Sequence, residues 1–156
     1  MVTFTAGAGD GFRPYRNTRI MYFLEGAAQT FRPGHLVILS AGSIVKGATA
    51  AVAAIVGIAA EAASGVTGRK IGVYMADENT EYQARVADTG TLALANVGAQ
   101  FGLTYDVAAG RDIFRVNLAD TTNKAVTVTE LIDAVGDVNG KVVCKFMNAV
   151  RTPQTS

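Results

Sequence analysis

The sequence predicts a mainly β domain of antiparallel strands, with one short helix and an extended N-terminal arm. Three observations carry that prediction. Short runs of branched and aromatic residues recur along the chain, separated by turn residues. Several runs alternate apolar and polar residues with period two, as a half-buried strand does. The intervals between runs leave no room for the helices of roughly 10–15 residues that a parallel sheet requires. At 156 residues the chain fits one domain with an appended arm, and it is long enough to bury a core without staples. We divide it into an arm over residues 1–31 and a β-rich domain over residues 32–156.

The arm begins with glycine and small residues, then mixes arginines with aromatics in "GFRPYRNTRIMYFLEG". Arg13-Pro14 and Arg32-Pro33 frame it, and each proline drives the residue before it towards extended backbone. No alternation is sustained outside "RIMYFLEG", and the one strand of the arm is read there. Such a segment is expected to make few contacts with the rest of the chain. The alternative, compatible with an arm, is that it folds back as an edge strand of its own domain.

"HLVILS" and "SIVKGA" follow, joined by Ala41-Gly42 at hairpin spacing. The next stretch, "GATAAVAAIVGIAAEAASG", is ambiguous. Its alanines favour helix. Its uncharged run falls short of the roughly 20 apolar residues of a membrane span. Branched Ile55, Val56 and Ile58 beside Gly57 favour β. A turn over residues 49–54 and a strand over residues 55–61 are expected, with a short helix as the alternative. "RKIGVYMA" alternates Ile71, Val73 and Met75 against Lys70, Gly72, Tyr74 and Ala76. "TEYQARVA" alternates Tyr82, Ala84 and Val86 against Glu81, Gln83 and Arg85. "FGLTYDVA" and "DIFRVNLA" lie at hairpin distance, and "KAVTVTELID" and "KVVCKFMNAV" flank the turn residues "GDVNG". Only "DTGTLALANVGAQ" reads as a helix, capped by Asp88 or Thr89, ended by Gly98, with Leu92, Leu94, Ala95 and Val97 inward.

Composition narrows the function. The formal net charge is +1, so no global charge draws the chain to nucleic acid or to an anionic membrane. Cys144 is the only cysteine, which rules out an internal disulfide and a paired-cysteine metal site. That favours assembly inside a cell. No signal peptide is recognised at the N-terminus. "GAGDG" lacks the strand–loop–helix setting of a phosphate loop. His35, the single histidine, sits at a strand start with no G-x-S-x-G near any serine, and reads as structural or surface-exposed. Asp77, Glu78 and Glu81 lack calcium-loop spacing and read as a solvated turn. Cys144 reads as a buried, inert thiol. No catalytic residue, cofactor or metal is expected. Arginine, tyrosine and phenylalanine are enriched in interface centres. The candidate interface residues are therefore Arg13, Tyr15, Arg16, Arg19, Tyr22 and Phe23.

A series of short motifs adds a resemblance. Pro33-Gly34 and Val37 come first, then Val45-Lys46-Gly47-Ala48-Thr49. Ile55-Val56-Gly57-Ile58-Ala59-Ala60-Glu61 follows, then residues 70–84. In that order they resemble the β-tulip decoration, or cement, proteins of tailed bacteriophage heads. That family shows a Pro-Gly turn, a hairpin ending in Lys-Ala-Thr, a strand of the form I-x-G-V-A-A-E-x-A, and then K-I-x-V-Y-x-A. "NVGAQFGLTYDV" resembles its later turn into a strand. The likeness spans about residues 32–107 and, more loosely, the C-terminal strands. The chain departs from it in "TAAVAA" and in the long arginine–aromatic arm.

The resemblance implies a β-tulip or barrel-like domain with a structural role in the virion. Such a protein binds the exterior of an expanded capsid near three-fold or quasi-three-fold points, often as a homotrimer. It bridges major capsid protein subunits and stabilises the head. Its place would be the virion surface, and the host cytoplasm during assembly, with no nucleic-acid or membrane partner. Two rivals stand beside it: a carbohydrate-binding β-domain of a phage surface or fibre protein, and a small hydrolase. The first is disfavoured by the absence of tryptophan.

Overall fold

The computed structural model describes residues 11–48, 53–87, 90–106 and 113–151. They form eleven strands: β1 (Arg13–Arg16), β2 (Ile20–Leu24), β3 (Leu36–Ser40), β4 (Ser43–Lys46), β5 (Ile55–Ala59), β6 (Lys70–Met75), β7 (Glu81–Arg85), β8 (Gln100–Asp106), β9 (Ile113–Asn117), β10 (Val126–Leu131) and β11 (Lys141–Phe146). A six-stranded sheet has the order β1-β7-β11-β10-β8-β9, and a five-stranded sheet the order β2-β6-β5-β3-β4. Every pairing between these strands is antiparallel. Each sheet curls until distant members touch through an isolated parallel bridge, Glu25 to Ile44 in one and Val86 to Val116 in the other. Neither closes into a barrel, which corrects the barrel-like expectation: single bridges replace full ladders at both seams.

The ambiguous stretch is a strand. β5 lies inside its sheet, with all five residues buried. Ile55 and Ile58 face the first core, and Val56 and Ala59 the second. Two buried faces explain why the run is apolar throughout instead of alternating. It ends at Ala59, short of Glu61. Ala54, just before it, sits at φ 56°; residues 49–52 lie outside the described residues. The β3–β4 hairpin turns through Ala41 (φ 48°) and Gly42 (φ 83°), both left-handed as a type I′ turn demands.

The first core fills the curl of the six-stranded sheet and its junction with the other sheet, and includes Leu36, Ile58, Leu103, Phe114, Val126 and Cys144. At the junction Phe12, Tyr82 and Phe146 pack together, Tyr82 edge-on to the other two, with ring centroids 5.1 to 6.3 Å apart. The Tyr82 hydroxyl donates to the Tyr74 carbonyl at 2.8 Å, tying β7 to β6 across the two sheets. The second core, around Phe31, Val37, Ile44, Ile71 and Val73, lies within the five-stranded sheet's own curl.

Two expectations need correction. The helix near Leu92 is a single 3-10 turn over Leu94–Asn96. Leu92 is buried, but Leu94, Ala95 and Val97 are exposed. The backbone groups a helix would use are taken by the 136–139 loop. Leu92 donates to the Asp137 carbonyl at 2.9 Å and accepts from Gly136 at 2.8 Å, while Asn139 donates to the Gly90 carbonyl at 3.0 Å. The proposed caps Asp88 and Thr89 lie outside the described residues. The second correction concerns residues 11–31, whose contacts with the rest of the chain are extensive. β1 pairs with β7 and β2 with β6, each at the edge of its sheet, while Phe12, Glu25 and Phe31 are buried. Residues 1–10 lie outside the described residues.

Candidate functional site

The six candidate interface residues divide between two sheet edges. Arg13, Tyr15 and Arg16 lie on β1 of the six-stranded sheet, and Tyr22 and Phe23 on β2 of the five-stranded sheet. Arg19 stands in the short connection between them. Consecutive strands on different sheets carry the chain across the junction, so the segment spans both edges of one side of the molecule.

The arginines are not equivalent. Arg16 is held by its own sheet: its guanidinium lies 2.6 Å from Glu130 and 3.0 Å from Glu81, and 4.8 Å from the Tyr15 ring centroid. The hydrogen bond to Glu130, above all, raises its pKa further. Arg19 lies 3.8 Å from Asp77 and is half exposed. Burial alone would push the Asp77 carboxyl up. Hydrogen bonds from the Thr80 hydroxyl and from the Asn79 and Thr80 amides, with Arg19 nearby, outweigh it and hold the pKa below its usual value. Arg13 is exposed beside a groove walled by Pro14, Pro33, Ile58 and Tyr74.

Tyr22 and Phe23 point to opposite faces, as neighbours on a strand must. Phe23 is half-buried against the second core, whereas Tyr22 is 66% exposed. The register Ile20–Tyr74, Tyr22–Gly72 and Leu24–Lys70 puts Ile20, Tyr22 and Leu24 on one face. That face continues the row Leu36, Ile58 and Tyr74 packed against the first core. On β2 the covering sheet ends, and Ile20, Tyr22 and Leu24 stand in solvent; Met21, on the other face, is also exposed. Residue-type reasoning singled out Tyr22 but missed Ile20, Met21 and Leu24. The available signal was that "RIMYFL" is apolar at both parities, which an edge strand with one covered face cannot bury.

No protein-family model and no curated protein matches this chain. The junction also forms a polar cleft of about 560 Å³, lined by Asn17, Arg19, Asp77, Glu78, Asn79, Asn148 and Arg151. His35 is buried and accepts the Arg32 amide on Nδ1 at 3.0 Å, which braces the turn before β3. Cys144 is buried, and burial drives its thiol pKa far above the ordinary value, so thiolate chemistry is suppressed. Among the described residues no group of three or more His, Cys, Asp or Glu is placed to hold a metal ion. Among them, too, no helix is long and apolar enough to cross a membrane.

Glu25 is a residue that sequence reasoning passed over. It is fully buried where β2 meets the 64–68 loop. Its carboxylate accepts the Ser64 hydroxyl at 2.6 Å and the Ser64 and Gly65 amides at 3.0 and 2.8 Å. Burial, the largest influence, opposes the charge. The three hydrogen bonds, helped by Arg69, outweigh it and hold the pKa below the ordinary 4.5. A folded value below the unfolded one means that stability from this group is present above about pH 4.5 and is lost as pH falls through the folded value. Glu25→Gln is expected to lower the melting temperature at neutral pH and to flatten its fall between roughly pH 5 and 3. An acid limb identical to that of the wild type would show that Glu25 is not a linked group.

Proposed function

We propose that this chain is a structural virion protein of the β-tulip decoration type. It binds the outer surface of an expanded phage head near three-fold or quasi-three-fold positions, gathers there as a trimer, and bridges neighbouring major capsid subunits. The observation that carries this reading is the apolar stripe Ile20, Tyr22 and Leu24 standing in solvent, with Arg19 at its start and Arg13 beside Tyr74. Isolated exposed apolar residues are ordinary, but a contiguous row of them rimmed by cations marks a contact surface. The motif series of residues 32–107 and the pair of curled antiparallel sheets support the family assignment. Binding only the assembled shell stabilises that shell by mass action, and many copies multiply a modest contact.

The test is co-sedimentation with emptied, expanded heads, followed by release into buffer. Tyr22→Ala is expected to speed release roughly 30-fold, the hot-spot scale of about 2 kcal/mol. Arg13→Ala should act more weakly and mainly through salt dependence. Wild-type protein that remains in the supernatant would remove the proposal. A second reading, a carbohydrate-binding domain, is favoured by the polar cleft, whose planar amides and carboxylates are suited to sugar hydroxyls. Glycan binding lost in Asn79→Ala, without any shell binding, would select it.

A further inference from the structure

We propose that free copies of this chain pair with one another through the outer edge of β2, forming an antiparallel strand contact centred on Met21. The inference concerns the protein in solution and does not depend on the shell reading.

The backbone bookkeeping leads to it. Arg19 gives its carbonyl to the Met75 amide at 2.8 Å, and the Glu25 amide donates to the Arg69 carbonyl at 2.8 Å. Both belong to the β2–β6 register, so the odd-numbered residues of β2 spend their backbone groups on β6. The even-numbered ones therefore face outward. Gly26 agrees, since its amide reaches away from β6 to the Ile44 carbonyl at 2.9 Å. That contact closes the edge at the Leu24 end. Among the described residues, what stays open is the N–H and C=O of Ile20 and of Tyr22.

The other edges are blunted. β1 carries Pro14 and a register shift between Pro14 and Arg16. β4 gives the Ile44 carbonyl to Gly26, and the Lys46 amide donates to the Gln29 side chain at 2.8 Å. β9 gives the Val116 carbonyl to Ala87. β2 has no proline, lysine or bulge, and its Ile20, Met21, Tyr22 and Leu24 side chains are exposed and apolar. Natural edges are guarded against strand addition, and an unguarded one invites a partner.

The partner that fits is a second copy. In a two-fold antiparallel pairing, Ile20 lies opposite Tyr22 of the second copy, and Met21 opposite its Met21. Each Ile20–Tyr22 couple exchanges two hydrogen bonds, so every open donor meets an open acceptor. The outer faces of the two copies then join into one apolar row of Ile20 and Tyr22 side chains. The length also matches. The pairing runs out where Ile44 blocks Leu24, and there the second copy's chain turns away through Asn17, at φ 56°. A two-fold contact uses the same patch on both subunits, so it closes and does not propagate.

The experiment is sedimentation equilibrium of the full chain up to about 1 mM, where even a millimolar contact is half populated. The mass should rise from 16.2 kDa towards twice that value. Tyr22→Pro removes an outward N–H that the protein's own sheet does not use, so this variant should keep the β circular dichroism and stay monomeric. If it does not fold, the Ile20→Lys/Tyr22→Lys pair decides, since it opposes charges across the contact. Hydrogen exchange gives a second readout: the Ile20 and Tyr22 amides should gain protection with concentration, while Met21 and Phe23 stay protected throughout. A wild type that remains monomeric at 1 mM, or a folded Tyr22→Pro or lysine pair that still dimerises, overturns the proposal. Shell binding by a strictly monomeric protein would sink this contact alone, and a dimer that ignores heads would sink only the decoration reading.

Discussion

Removing residues 1–30 is expected to unfold the protein, and Phe12→Ala alone to cost about 3–5 kcal/mol. The truncation deletes β1 and β2, which exposes an edge of β7 and an edge of β6 at once. It also takes Phe12 out of the cluster with Tyr82 and Phe146, opening a cavity at the junction of the two sheets. The ring is 1% exposed, so little relaxation is available to fill the space. For a chain of this size each kcal/mol moves the melting temperature by roughly 2–4 °C, so Phe12→Ala should melt on the order of 10 °C lower. A truncated protein with wild-type circular dichroism and an unchanged melting temperature would mean that residues 12–30 are dispensable to the fold.

Gly57→Ala is the second large effect expected. Gly57 sits within β5, opposite Met75 on β6 and Val37 on β3. A Cβ at that position would collide with the carbonyl of Tyr74 and crowd the amide of Ala76. Both obstacles are backbone of the neighbouring strand, so no side chain can swing aside. β5 and β6 would have to separate at the centre of the sheet, at a cost of about 3 kcal/mol or more. Gly42→Ala is the control. Its backbone is left-handed, but a Cβ there meets open space, so only the conformational cost of about 1 kcal/mol applies. Denaturant titration of both variants should therefore rank Gly57→Ala well below Gly42→Ala. Equal midpoints would refute the close approach of the two strands.

Much of this architecture was legible in the residues. The alternation in "TEYQARVA" identified β7 and its inward face, and Ala41-Gly42 identified the β3–β4 hairpin. Glycine beside branched residues correctly outweighed alanine in β5. The failures have common physics. "LALAN" has helix-forming residues, yet the N–H and C=O of Leu92 at its start go to a loop more than forty residues away, which no local propensity reports, and only a 3-10 turn remains after it. Residues 11–31 looked like a free arm because their partners, β6 and β7, lie far along the chain. The aromatic residues of the candidate surface were visible as types. That Phe23 turns inward while Tyr22 turns outward depends on which face of β2 the second core covers.

The placement of β1 and β2 also bears on how the chain is made. Both strands leave the ribosome before the strands that receive them, since Leu24 must wait for Lys70 and Arg16 for Glu81. At the usual pace of about 5–20 residues per second, β2 waits roughly 2–9 s for the start of β6. Throughout that wait the nascent chain displays "RIMYFL", a sticky β-prone hexamer, with no sheet to join. Translation order therefore leaves this segment unpaired for an interval in every round of synthesis, and chaperone contact with nascent β2 is where that hazard would be met.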